Sequence, residues 1–132
     1  MARYAMSTST SLTPEAAVER VTALLAEQGF GILTRIDVHA VLEKKLGISR
    51  APYIILGACN PTFAHAALEA EPEVGILLPC NVAIEAVESG TRIHVTEPEA
   101  LFSLVDSSAL KPIMVQVRAR LEAVALGLAE KT

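Results

Sequence analysis

The sequence predicts an α+β fold in two layers, a mostly antiparallel sheet packed against helices, and three observations carry that prediction. Pro14 to Gln28 and Lys111 to Glu130 place apolar residues three and four apart, the spacing of a helix with one buried face. Tyr53 to Cys59 is an almost unbroken apolar run of strand length. Val82 to Val87 and Arg92 to Thr96 flank Glu88-Ser89-Gly90-Thr91, a turn signal that joins two antiparallel strands. Long helices laid over such a sheet close a two-layer core.

Taken in order, Arg3 to Ser9 alternates in the manner of a strand. Thr13 then offers a hydroxyl cap, Pro14 suits the first helical position, and Glu15 and Glu19 favour the positive end of a helix that Gly29 stops. Phe30 to Ile36, rich in branched and aromatic residues, reads as the next strand. Asp37 is placed to cap a short helix from Val38 to Leu46, and Gly47 ends it.

After the connector Ile48 to Pro52, the Tyr53 to Cys59 run is long and apolar enough for a strand inside the sheet. Asn60 and Pro61 open a helix to Ala70, which Glu71-Pro72 terminates. Gly75 to Leu78 reads as a short strand, with Pro79 marking an edge, bulge or kink before Val82. Gly57 and Gly75 read as places of close backbone approach in the sheet. Pro98 to Val105 fits a helical turn or a short helix. The stripe Ile113, Met114, Val117, Leu121, Val124, Ala125 and Leu128 makes the last helix.

The totals narrow the class. The 132 residues fit a single domain, residues 1–132, and 52% of them are apolar. The mean hydropathy of +0.42 exceeds what a small globule needs, which suggests that some apolar surface is spent on a homodimer interface. Eleven basic residues stand against fifteen acidic ones, giving a net charge of −4 without a basic run. A surface that tracks nucleic-acid phosphates is therefore not expected. No apolar run approaches the ~20 residues of a membrane span, and the N-terminal residues lack a secretory or transit pattern. A cytoplasmic protein with two reduced cysteines is the expectation.

Both cysteines sit in turns of mirrored composition, Cys59-Asn60-Pro61 and Pro79-Cys80-Asn81. If Asn60 caps the following helix, the Cys59 thiol lies at a helix N-terminus, where unpaired N–H groups favour a thiolate able to bind soft metals or attack electrophiles. It can equally be a small apolar side chain ending a buried strand. Pro79 re-aims Cys80, for which exposure is expected. Twenty intervening residues neither forbid nor require a disulfide, and the spacing is not that of a zinc site.

Asn60 and Asn81 suit helix capping or Asx turns. His39, His65 and His94 read first as surface or satisfied histidines, and His65 is six positions from Cys59 without obviously facing it. Phosphate-loop, HExxH, GxSxG and paired CxxC patterns are absent, and Glu69, Glu71 and Glu73 read as a solvated helix end.

Three segments, Ile32 to Ile48, Ile55 to Ile84 and Val95 to Val105, resemble domain of unknown function family 302 in its cysteine-containing branch. LGACNP and LLPCNV are the most specific parts. The resemblance implies a TATA-binding-protein-like sheet-and-helix domain that packs as a dimer, and it makes Cys59, Asn60, Pro61, Pro79, Cys80 and Asn81 the motif positions. It implies no activity.

The leading expectation is a homodimeric binding module whose site is formed by Cys59, Asn60, Cys80 and Asn81. Its ligand would be a soft metal, a sulfur species or a small apolar molecule. A redox or sulfur-transfer enzyme with Cys59 as nucleophile is the first alternative, and a structural interaction protein with buried cysteines the second. Whether a substrate is turned over, and which cofactor if any is held, stay open.

Overall fold

The computed structural model describes residues 4–130. The strand Tyr53–Cys59 (β3) is paired on both sides, as its apolar composition requires: Gly31–Asp37 (β2) lies on one flank and Cys80–Val87 (β4) on the other. Gly90–Thr96 (β5) follows β4 through a two-residue turn, and Ala5–Thr10 (β1) pairs outside β5. The order β1-β5-β4-β3-β2 is antiparallel throughout. Arg3, expected in the first strand, lies outside the described residues.

The helices are Pro14–Glu27 (α1), Val38–Leu46 (α2), Pro61–Ala70 (α3), Pro98–Leu101 (α4) and Leu110–Glu130 (α5). Ala17, Val21, Leu24 and Leu25 of α1 and Val117, Leu121, Val124 and Leu128 of α5 are buried with Ile54, Leu56, Val82, Ile84, Ile93 and Val95 of the sheet in one cluster. The sequence stripes named these faces because only residues three and four apart reach the same neighbour layer. The opposite face of the sheet carries no such cover from α1 or α5.

Local chemistry sets the boundaries. Thr13 accepts from the Ala16 N–H, and Gly29 and Gly47 take the left-handed backbone (φ 83° and 68°) that ends α1 and α2. Asp37 departs from expectation. It precedes α2 but makes no capping bond, because Arg35 two residues earlier takes its carboxylate at 3.0 Å. Charge-assisted pairing outcompetes a single N–H.

The expected strand Gly75 to Leu78 is instead the end of a 3-10 turn, Pro72–Leu77. β3 and β4, the strands nearest in the chain, are each paired on both sides, so neither has a ladder open to that segment. Its N–H groups turn inward locally, Val74 to Glu71 and Leu78 to Gly75. Val74 is buried and anchors the turn, Ile76 is 87% exposed, and Gly75 makes no close approach. β4 begins at Cys80, two residues before the expected start.

Candidate functional site

β3 delivers Cys59 to the end of the sheet, where the chain turns sharply into α3. Asn60 makes that turn: its Oδ1 accepts from the Phe63 N–H at 3.4 Å, and its Nδ2 donates to the Gln28 carbonyl at 3.3 Å. One side chain thus caps α3 and ties it to the end of α1. Gly29 leaves room for it, since an added Cβ there would stand 2.9 Å from Asn60 Nδ2. Arg120 of α5 also donates to the Gln28 carbonyl and lies over the Phe63 ring at 5.3 Å.

Beside this junction opens a cleft of about 270 Å³. Its inner walls are Ala58, Ala67, Cys80, Phe102, Met114 and Val117, all buried, and Phe63 flanks them. Leu33 and Leu68, exposed at the surface, form the rim. Leu33 reaches it because β2 bulges between Ile32 and Thr34, which breaks the alternation and turns one side chain out of the ladder. Cys59, half-buried, and Asn60 line the cleft as well.

The four expected site residues do not all meet. Cys59, Asn60 and Cys80 share the cleft, while Asn81 does not: it follows Cys80 on β4, so its side chain stands on the opposite face. Cys80 is the second correction. Expected to be exposed, it pairs with Ala58 on the core face and is only 8% exposed. β4 begins at Cys80, directly after Pro79, and the pairing with Ala58 puts both side chains on the core face. Both cysteines are free thiols.

Burial, and to a lesser degree the neighbouring Cys59, pushes the Cys80 thiol from 9.0 up to about 11. Cys80 is therefore protonated at neutral pH and is a poor metal ligand or nucleophile. The unfolded chain surrenders this proton first, so the stability it confers is complete below about pH 9 and is lost as pH rises through about 11. We expect wild type and Cys80→Ala to converge by about 2–3 kcal/mol across that window in urea titrations. Parallel curves would contradict the burial of the thiol.

His65 is turned to solvent and pairs loosely with Glu69 at 3.8 Å, so it does not serve Cys59. His39 accepts the Tyr53 N–H at 3.0 Å and ties α2 to β3. No group of three His, Cys, Asp or Glu side chains among the described residues is placed to hold a metal ion. The sequence placed a binding site at the Cys59 and Cys80 turns but missed the apolar wall that α3 and α5 give the cleft. Its signal was the pair Ala64 and Ala67 on the inward side of α3, where small side chains leave space that Met114 and Val117 do not fill.

These features define a class: a small α+β domain with an apolar cleft, closed by helices at one end of an antiparallel sheet and bordered by two thiols. Residues 6–126 match the family described as Domain of unknown function DUF302, and the chain belongs to that family. A solved relative, the crystal structure of uncharacterized conserved protein DUF302 from Bacillus stearothermophilus, superposes with a TM-score of 0.88. It is 29% identical, over 96% of this chain and 99% of that one. No curated protein matches the sequence.

Proposed function

We propose that this protein is a cytoplasmic, homodimeric binding module whose cleft between α3, α5 and the ends of β3 and β4 takes a small, neutral, apolar ligand. The cleft carries the reading. Its walls are almost wholly hydrocarbon and its one amide, Asn60, is already spent on Gln28 and Phe63, so little remains to compensate a charge carried in from water. Among the ligand classes weighed from sequence, a soft metal is the least supported, because Cys80 holds its proton and no third ligand stands near among the described residues. The thiol enzyme is less supported too, since Cys59 has no histidine from α3 to take its proton.

Indole tests the cleft, and because the chain has no tryptophan the probe's own emission reports its burial. Saturable binding with a blue-shifted emission is expected. Ala67→Met, which fills the inner wall, should weaken it about tenfold, on the order of 1.4 kcal/mol, with the circular dichroism unchanged. Binding indifferent to that substitution would reject the cleft as the site.

Self-association rests on a separate observation. None of the residues of α2 is buried, and Val41 and Leu46 of that helix, with Ile36 and Ile48 beside it, leave their hydrocarbon in water. An apolar helix face without cover fits a second copy of the chain. Sedimentation should give the mass of two chains for wild type and of one for a Val41→Glu, Leu46→Glu double variant. A wild-type monomer at micromolar concentration would remove the dimer from the proposal.

No helix among the described residues is long and apolar enough to cross a membrane. The cytoplasmic setting is supported by two cysteines that stand as free thiols.

A further inference from the structure

The sheet face turned away from α1 and α5 carries a second constellation, independent of the cysteine cleft. Ser7 on β1 lies directly opposite His94 on β5, with Ser7 Oγ 2.7 Å from His94 Nδ1. The other ring nitrogen, Nε2, stands 2.6 Å from Oε2 of Glu85 on β4. A carboxylate can only accept, so Nε2 carries the proton and donates it to Glu85. Nδ1 is then the free lone pair and accepts the Ser7 hydroxyl. Glu85 thereby holds His94 in the tautomer that a general base for Ser7 requires.

The strand pairing supplies a further part. The Glu97 N–H donates to the Tyr4 carbonyl, which makes Tyr4 and Glu97 a hydrogen-bonded pair at the end of the β1–β5 ladder. Alternation along an antiparallel ladder then makes Ser7 and His94 a non-hydrogen-bonded pair, with their side chains close and their backbone groups facing away from each other. Because β1 is the outer strand, the Ser7 N–H points off the sheet edge. It is placed on the same residue as the hydroxyl, where a negative oxygen forming next to Ser7 would need a donor. Tyr4, Tyr53, Asn81 and Arg92 border the surrounding depression, which offers two aromatic walls and an exposed cation.

We propose that Ser7, His94 and Glu85 form an acyl-transfer site for small carboxylic esters. Ser7 Oγ attacks the ester carbonyl carbon while its proton passes to Nδ1 of His94. The tetrahedral adduct collapses, the bond to the alcohol oxygen breaks, and the alcohol leaves with that proton, so that Ser7 carries the acyl group. Water then gives a proton to Nδ1 and adds to the acyl carbonyl. Release of the carboxylic acid returns the proton to Ser7. Glu85 is a positioning residue, touching His94 and not the ester.

The test is hydrolysis of p-nitrophenyl acetate by the full chain, with the acetyl group located by peptide mass spectrometry after an acid quench. Acetylation of Ser7 is expected, together with a fall of at least about a hundredfold in Ser7→Ala and in His94→Ala. Ser7→Ala trims an exposed side chain from an outer strand and should leave the thermal melt in place, so its loss of activity would not be a loss of fold. Nitrogen-15 spectra of the His94 ring should show the Nε2–H tautomer in wild type and lose it in Glu85→Gln. Acetyl found on Cys59 instead of Ser7, turnover that survives Ser7→Ala, no acetyl-Ser7 at all, or an Nδ1–H tautomer would each overturn the proposal.

Discussion

Leu121→Ala should lower the unfolding free energy by about 2–5 kcal/mol, the range for deleting a buried leucine in a core that cannot fully collapse. Leu121 is 0% exposed, midway along α5, with Val117 and Val124 beside it on the buried face of that helix and the sheet and α1 completing the same core cluster. Loss of its three terminal carbons removes contacts to the helix and sheet layers at once. The neighbours are themselves fixed: α5 is a long helix, and the sheet is held by ladders along every strand. The space left is then a cavity and not a small shift. Urea denaturation followed by circular dichroism measures the effect, and a loss below about 1 kcal/mol would mean that α5 is not seated as described.

Gly90→Ala should cost at least about 2 kcal/mol, seen as a fall in Tm on the order of 8 °C. Gly90 opens β5 at φ 149°, a conformation that residues with a Cβ rarely adopt. The added methyl would also meet the Thr10 carbonyl oxygen and lie 3.0 Å from the Ser11 Cα. Relief requires the end of β1 to move away from the hairpin. That motion would strain the bond in which the buried Thr91 hydroxyl donates to the Leu12 carbonyl at 2.7 Å. A Gly90→Ala protein as stable as wild type would contradict this close approach.

Much of the fold was legible because local chemistry and global packing agreed. Thr13 and Asn60 begin helices through their side-chain oxygens, Gly29 and Gly47 end them through the positive φ that the lack of a Cβ allows, and the stripes of α1 and α5 face the core. The failures came where a tertiary partner decided. Asp37 had a helix to cap and an arginine to bind, and the charge won. Gly75 to Leu78 had strand-like residues, but β3 and β4 on either side of it in the chain were already paired on both flanks.

For the candidate site the error was one of parity. A strand begun at Val82 leaves Cys80 and Asn81 in a turn, able to point anywhere. Begun at Cys80, the same alternation sends the thiol into the cleft and the amide to the far face. The cleft and the Ser7–His94–Glu85 array depend on pairings between residues far apart in the chain, 87 positions for Ser7 and His94, and no short motif marks them.

The junction at Asn60 bears on how fast a ligand could come and go. The end of α1, the start of α3 and the middle of α5 converge on the single Gln28 carbonyl through two hydrogen bonds of 3.3 Å. That carbonyl acts as a latch. Opening both bonds would free the Asn60 turn and Arg120 from the end of α1 while the core faces of α1 and α5 stay packed, whereas rotamer changes of Leu33 or Leu68 alone alter only the lip. For the proposed apolar ligand, occupancy at equilibrium would follow hydrocarbon contact, while residence time would depend on how readily the Asn60 and Arg120 bonds open. Two relatives with the same lining could thus bind one ligand equally tightly and exchange it at very different rates.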